Sequence, residues 1–469
     1  MTMERRDVLK LGAAATVAAA LAGCSKIASE IAETPDALPL PTGDVTPELR
    51  ILHRLGFGPR PGDIALVASM GLAAYVEDQL AASQTEEPRL NLLLSNLEIF
   101  SIDSEDMMDI HREQVIAQLQ RANLLYAVYS RNQLQERMTD FWLNHFNIYA
   151  PKSDDAWRLA GDTRKVIRNN ALGKFPDMVK ASAHSPAMLD YLDNTVNKSG
   201  VANENYAREL MELHTLGVHG GYTQQDVMEV ARCLTGWTIE KRFLHRRGTF
   251  RFDETVHDDG QKVVLGHIIP AKGGEADGDR VLEIVSNHPS TAKHISAKLC
   301  REFLGHEDAS WIDKMSATYM ATGGDIKEMI RPLLLSKEIL ASPPIAKRPL
   351  DFVASCLRAT NADSDCGPGV IDHLTKMGQS PYLWPMPDGY PDKAEAWTGS
   401  MLGRWNFALA LAGGQIGGAS LDASRTHDPL EDVLGRHRSN TNIVEEHSKR
   451  LPKDQALALC LSSPEFQWR

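Results

Sequence analysis

The sequence predicts a mainly α fold: one large multi-helix domain with a small inserted β-hairpin. Apolar residues recur at helical spacing in segments of ordinary helix length, and Pro, Gly and Asn separate these segments. Strand-like segments do not alternate with them, which argues against an α/β architecture. The predicted helices cover residues 61–82, 105–131, 133–146, 162–170, 175–182, 204–216, 223–235, 289–304, 326–334 and 348–359.

The hairpin is predicted near residues 245–269. The segments RGTFRFDE and KVVLGHII alternate or run β-branched on either side of Asp258-Asp259-Gly260, a typical turn sequence. Glu254 and His257 have the ExxH spacing of carboxylate-bridged metal proteins, but that motif requires a helix. We therefore interpret the two aspartates as turn residues. His257 still requires an explanation.

The first 24 residues have the composition of an export signal with a lipobox. Arg5 and Arg6 precede a short Ala-rich and Leu-rich run, as in twin-arginine signals, and Leu21-Ala22-Gly23-Cys24 resembles the site at which a lipoprotein is cleaved and acylated. A lipid on Cys24 would anchor a periplasmic protein to the membrane. The alternative is an ordinary cleaved signal that ends in Cys. Residues 25–45 are rich in Pro and polar residues and predict a flexible tether, and residues 46–469 form the helical domain.

Charge and cysteine content exclude several classes of protein. The formal charge of −12 argues against a nucleic-acid partner, since phosphate binding depends on clustered Lys and Arg. The basic residues between 241 and 251 are interpreted as a solvated edge of the hairpin. With Cys24 set aside, five of the six cysteines remain and none forms a CxxC motif, which argues against a cysteine-based zinc site. Cys356 and Cys366 flank a short loop and are close enough in sequence to form a disulfide.

The densest polar segment runs from residue 203 to 214. At about 100° per helical residue, Asn205, Arg208, Glu209 and Glu212 fall on one arc, and His214 falls on the opposite apolar arc. Two carboxylates beside an Arg can act as general acid and base, or they can bind a divalent metal. The alternative is a surface helix in which Arg208 and Glu212 form an i, i+4 pair.

Two aromatic segments supply further candidates. Asn144 and His145 lie at the aromatic-rich end of a predicted helix, where a buried imidazole serves either as a cap or as a site residue. The Pro-rich loop 380–392 carries Trp384 and Tyr390, whose faces can stack on a sugar or an apolar ligand. Packing of the loop against the body is the alternative.

Taken together, these segments resemble an uncharacterised bacterial family, domain of unknown function 1800. The resemblance covers nearly the whole chain after the tether and rests on the strings HRLGFGP (53–59), FWLNHF (141–146), SPAMLDYLDN (185–194), NENYARELMELHTLGVHGGYTQQDV (203–227), ARCLTGW (231–237) and GQSPYLWPMPDGYPD (378–392). It implies an exported protein, often encoded beside a sulfatase-like exported protein, and it implies no activity. It favours a cleft, rather than solvent, in front of the polar helix.

The sequence therefore predicts an exported envelope hydrolase. Its expected catalytic residues are Glu209, Glu212, His145 and His257, and its expected substrate-binding residues are Glu204, Asn205, Arg208, Trp384 and Tyr390. One alternative uses the same residues to bind a divalent metal or another cofactor. The other alternative is a non-enzymatic lipoprotein that binds a protein partner, for example the sulfatase-like neighbour.

Overall fold

The computed structural model describes residues 45–102, 106–241, 248–421 and 450–469, and within them the mainly α fold is confirmed. The predicted export signal, Cys24, nearly all of the tether and the centre of the basic segment lie outside the described residues. The helices are Pro47–Leu55, Asp63–Met70, Leu72–Ala81, Pro88–Ser95, Arg112–Tyr129, Gln133–His145, Asp155–Gly161, Phe175–Ala183, Pro186–Tyr191, Asn205–Glu209, Gln224–Cys233, Ala276–Ser286, Pro289–Leu304, Ala309–Thr322, Ile326–Leu334, Lys337–Ala341, Pro349–Ala359, Pro368–Lys376, Met401–Ala412 and Lys453–Ser462.

Glycine breaks the first long predicted helix. The segment expected over 61–82 forms two helices, Asp63–Met70 and Leu72–Ala81, which are bent by 105°. Gly71 between them has φ of +82°, a left-handed conformation that an L side chain rarely adopts. No single helix in the described ranges is long and apolar enough to cross a membrane. This bent pair passes that length and composition criterion only when its two helices are taken together.

The inserted β structure is present, but its predicted pairing was wrong. Strand β1 (Trp237–Ile239) pairs antiparallel with β2 (Phe250–Phe252), and β3 (Lys262–Val264) pairs with β4 (His267–Ile269). The strands on either side of the Asp258 turn thus bind other partners. Leu265 and Gly266 both have positive φ, which matches the two-residue turn that right-twisted hairpins prefer. A third small sheet joins Asp363–Ser364 to Ala419–Ser420.

Two segments predicted as ordinary helices adopt π-helical geometry. One is Asp162–Ile167 and the other is Leu210–His214, which directly follows the short helix Asn205–Glu209. Such wide turns are rare and are frequent at functional sites. The hydroxyl of Thr215 donates to the carbonyl of Leu210 at 2.6 Å and helps to end the second one.

The helix Pro289–Leu304 begins and ends as predicted. Pro289 occupies its first turn, where the missing N–H costs nothing, and Gly305 with φ of +82° follows its last residue. The helix packs against Ala309–Thr322. His294, Lys298 and Arg301 are spaced four and three residues apart, which places them on one face.

The described residues contain five cysteines, all of them buried, and Cys233, Cys300, Cys356 and Cys366 are free thiols. Cys356 and Cys366 do not form the disulfide that their spacing allows. Burial raises the pKa of the Cys366 thiol to about 12, which keeps it protonated and unreactive. These thiols therefore pack as small apolar residues.

Candidate functional site

The site is built around the contact between His145 and Lys298. His145 ends the helix Gln133–His145, and its Nε2 lies 3.0 Å from the carbonyl oxygen of His214. A carbonyl only accepts, so Nε2 carries the hydrogen and Nδ1 carries a lone pair. The ammonium of Lys298 lies 2.8 Å from Nδ1 and donates to it. The backbone carbonyl of His214 therefore fixes the tautomer of His145, and that tautomer accepts a hydrogen bond from Lys298.

Two further imidazoles surround this pair. His294 Nε2 lies 3.2 Å from the carbonyl of Leu213, and the ring of His214 is buried 5.9 Å from that of His145, centroid to centroid. Gly217 makes room for this arrangement: it has φ of +82°, and a Cβ there would lie 2.8 Å from His294 Nδ1. The π-helical segment thus contributes two consecutive backbone carbonyls and the buried His214 ring.

Burial sets the charge state of the cluster. Burial, followed by the charge of Lys298, holds the pKa of His145 well below its usual range and lowers that of His214 to about 3 and that of His294 to about 4. Burial and the nearby Arg301 lower the pKa of Lys298 to about 8. The imidazoles are consequently neutral at physiological pH, and a fraction of the lysine is a free amine.

His145 and Lys298 line a cavity of about 290 Å³. Its far wall is the predicted aromatic loop, where Trp384 and Tyr390 lie with ring centroids 4.8 Å apart. Asn144 holds this loop: its Nδ2 donates to the carbonyl of Tyr390 at 2.9 Å, and its Oδ1 accepts from the backbone N–H of Tyr390 at 2.7 Å. Asn144 therefore holds the aromatic wall of the cavity, and the adjacent His145 contacts Lys298.

The other cations of the cavity are paired. Arg301 binds Asp392 at 3.0 Å, Arg469 binds Glu302 at 2.6 Å, and Arg348 binds Asp140. In contrast, no carboxylate of the described residues lies within ion-pair distance of Lys298, whose hydrogen-bond partner is the His145 ring. Lys298 is thus the cavity cation whose charge is least compensated.

The predicted acidic helix lies beside this cavity and does not line it. Glu204 binds Arg208 at 3.0 Å and accepts from Gln224 at 2.6 Å, so Arg208 pairs with Glu204 and not with Glu212. Glu212 accepts from the Tyr222 hydroxyl at 3.3 Å. These contacts leave the helix with a polar, partly exposed face.

Glu209 is half-buried, and burial together with the charge of Glu212 raises its pKa. The charge of Asp388 on the aromatic loop also raises the pKa of Glu209, and it partly offsets the lowering of the pKa of Lys298. Asp388 therefore lies between the acidic helix and the cavity. The exposed Asn205 donates to the carbonyl of Leu192 at 3.2 Å. Within the described ranges, neither Glu209 nor Glu212 forms a hydrogen bond or an ion pair with a histidine.

His257 lies in a second, closed cluster. Its Nδ1 donates to the carbonyl of Thr235 at 2.8 Å, and its Nε2 lies 3.5 Å from Lys262 Nζ and 3.3 Å from Asp277. Lys262 donates to Asp277 at 2.5 Å, and both side chains are almost fully buried. His257 shares no hydrogen-bond partner with His145.

Of the predicted site residues, the structure therefore brings together His145, Trp384 and Tyr390. It places the acidic helix beside them and His257 elsewhere. The sequence reasoning missed Lys298, His294 and Arg301. Their shared helical face was readable from the i, i+4 and i, i+3 spacing, but a basic helical face usually faces solvent.

Among the residues that the structure describes, no group of three or more His, Cys, Asp and Glu side chains is placed to hold a metal ion. The ring nitrogens that face backbone carbonyls carry hydrogens and cannot act as ligands in that state. The divalent-metal alternative receives no geometric support from the described part of the chain.

These features define a mainly helical protein with an aromatic-walled polar cavity built on a lysine–histidine pair. The family model described as "Protein of unknown function (DUF1800)" matches residues 50–468, and the chain belongs to this family. Neither a curated protein nor a solved structure matches it.

Proposed function

We propose that this chain is an exported cell-envelope hydrolase in which Lys298 is the general base. The observation that carries the proposal is the 2.8 Å contact between Lys298 Nζ and His145 Nδ1 at the edge of the cavity. A base must be uncharged to accept a proton, and a pKa of about 8 leaves part of the amine free near neutral pH. The export part of the proposal is supported by the twin-arginine and lipobox residues up to Cys24.

The contacts around Lys298 support such a reaction. One N–H of the neutral lysine donates to His145, and the single lone pair on Nζ is free to accept a proton from a water molecule in the cavity. The water then attacks an electrophilic carbon, phosphorus or sulfur atom of the substrate. Trp384 and Tyr390 offer faces on which an organic group can stack. The substrate-binding role predicted for these two aromatic residues fits this arrangement.

A second candidate function is partner binding at the acidic helix. Val196, Val201 and Val218 flank this helix in sequence and are 61%, 82% and 60% exposed. A partner that covered this region would remove these exposed apolar side chains from water, which favours binding. The partner proposed from the family resemblance is the sulfatase-like exported protein.

The test compares two lysines on the same helix. Lys298→Met should lower hydrolysis of chromogenic carboxylic, phosphate and sulfate esters by about 10²–10⁴-fold, since it removes the base. Lys293→Met is the matched control, because Lys293 is exposed on that helix, and it should leave activity and melting temperature unchanged. Full activity of Lys298→Met would refute the assignment.

Variants of the acidic helix test the alternative that its carboxylates supply the base. If Glu209→Gln or Glu212→Gln abolishes hydrolysis while Lys298→Met does not, the base lies on the acidic helix instead. If no variant changes hydrolysis but Val201→Asp releases a co-purifying envelope protein, the partner-binding function is supported. Melting curves for every variant separate these outcomes from loss of folding.

A further inference from the structure

We infer that Lys298 also forms a covalent imine with small aldehydes, so that the cavity is a carbonyl-binding site. The inference rests on the accessible amine that the proposed function assigns to Lys298. It goes beyond that function because the amine acts as a nucleophile and forms a bond to carbon.

Access distinguishes Lys298 from Lys262 and Lys347, the two fully buried lysines of the described ranges. Lys262 is 0% exposed and donates to Asp277, and Lys347 is 1% exposed with its Nζ 3.9 Å from the centre of the Phe466 ring. Lys298 is partly buried and faces an open cavity of about 290 Å³. Pockets that bind small organic ligands begin at about 300 Å³, so this cavity suits a compound of a few carbon atoms.

The surroundings also favour nucleophilic attack. The groups whose charges act on Lys298 are Arg301 on its own helix and Asp388 and Asp392 on the aromatic loop, and its hydrogen-bond partner is the neutral His145. No carboxylate of the described residues is close enough to hold the lysine as an ammonium ion by direct pairing. A desolvated lysine beside another cation is a recognised way to obtain a nucleophilic amine.

The reaction balances without an oxidant or reductant. The lone pair of Nζ forms a bond to the carbonyl carbon, and the carbonyl oxygen gains a proton to give a carbinolamine. His145 Nδ1, 2.8 Å from Nζ, relays both amine protons, the first to the carbonyl oxygen and the second to the departing hydroxyl. The two hydrogens of the amine thus leave with the carbonyl oxygen as water, and a C=N bond remains.

The experiment traps this imine in the intact protein. The full chain is incubated at pH 8 with glycolaldehyde or glyoxylate and sodium cyanoborohydride, and each lysine is then quantified by peptide mass spectrometry. We expect Lys298 to be modified at least tenfold more than the exposed Lys293 of the same helix. Preference for glyoxylate over glycolaldehyde would show that the cavity also selects an anionic group, and equal trapping would show that the carbonyl alone is recognised.

Labelling of Lys298 at or below the level of Lys293 overturns the inference. Because both lysines are measured in the same wild-type sample, no variant has to fold for this result. The proposed function is tested separately. If Lys298→Met loses hydrolysis but wild-type Lys298 is not trapped, Lys298 is supported as the general base and the imine inference is refuted. If Lys298 is trapped but Lys298→Met keeps full hydrolysis, the imine inference is supported and the general-base assignment is refuted.

Discussion

The described part of the molecule contains two lysine–histidine pairs, and they differ in whether a carboxylate also binds the lysine. In both, one imidazole nitrogen faces a backbone carbonyl and the other faces a lysine ammonium: His145 with Lys298, and His257 with Lys262. The closed pair adds Asp277, which binds Lys262 at 2.5 Å, and it is almost fully buried. The open pair has no carboxylate of the described residues within ion-pair distance, and it lines a cavity.

The two pairs show how the surroundings of a lysine decide whether it stabilises the fold or can lose its proton. A buried ammonium with its own carboxylate is neutralised, and breaking such a pair leaves a costly buried charge. An ammonium at a cavity edge without that partner can lose its proton instead. The residue types are the same, so the presence of Asp277 and the absence of a cavity make the difference.

The largest expected effect is on the closed pair. Lys262→Met should lower the free energy of unfolding by about 3–5 kcal/mol, because Asp277 stays buried without its partner. Lys298→Met should lower it much less, since no buried carboxylate loses its counter-ion. Urea denaturation followed by circular dichroism measures both. The double variant Lys262→Met with Asp277→Asn is the control and should recover part of the loss, and equal losses for the two lysine variants would remove the distinction.

A smaller effect is expected at Gly217, which supports the open pair. Gly217→Ala should cost about 1–2 kcal/mol, because the residue has φ of +82° and the new Cβ would lie 2.8 Å from His294 Nδ1. Thermal melting measures the loss. Gly200→Ala is a matched control, because Gly200 has the same φ and an added Cβ there meets open space. If the two variants melt together, the His294 contact contributes nothing beyond backbone strain.

The smallest effect is a difference in pH dependence. Lys298 has a folded-state pKa of about 8, below its ordinary value of 10.5, so between these values the unfolded chain holds a proton that the folded chain has lost. The free energy of unfolding of the wild type should therefore rise with pH across this window relative to Lys298→Met. Partial exposure of the lysine keeps the change modest. Melting curves of both proteins at pH 7.5, 8.5 and 9.5 provide the measurement, and a fall with pH would contradict the lowered pKa.

Local sequence signals predicted most of the fold. Pro289 and Gly305 bound one helix, and its predicted limits match the structure, as do those of Ile326–Leu334. Local signals did not predict the strand pairing, because that pairing depends on contacts between residues far apart in sequence. The strand Phe250–Phe252 pairs with Trp237–Ile239 because both find apolar neighbours there, and no turn residue in the sequence encodes that choice.

The site was predictable only in part, for the same reason. His145 and the aromatic loop could be identified because aromatic and Asn residues cluster around them. Lys298 could not, because one lysine on an amphipathic helix becomes reactive only through a histidine that lies 153 residues away. The side-chain pattern of the acidic helix indicated its carboxylates. The π-helical segment that follows instead contacts His145 and His294 through the backbone carbonyls of His214 and Leu213, which no sequence pattern displays.

If the chain is exported as proposed, the burial of its five described thiols affects when it should fold. An oxidising compartment joins exposed cysteines indiscriminately, and an odd number of them guarantees that at least one is left over. A chain that arrived there unfolded would risk mispairing before its core closed. Assembly of the core before translocation, as the twin-arginine route permits, would keep these five thiols buried throughout transport. On that route, folding before transport would itself prevent mispairing.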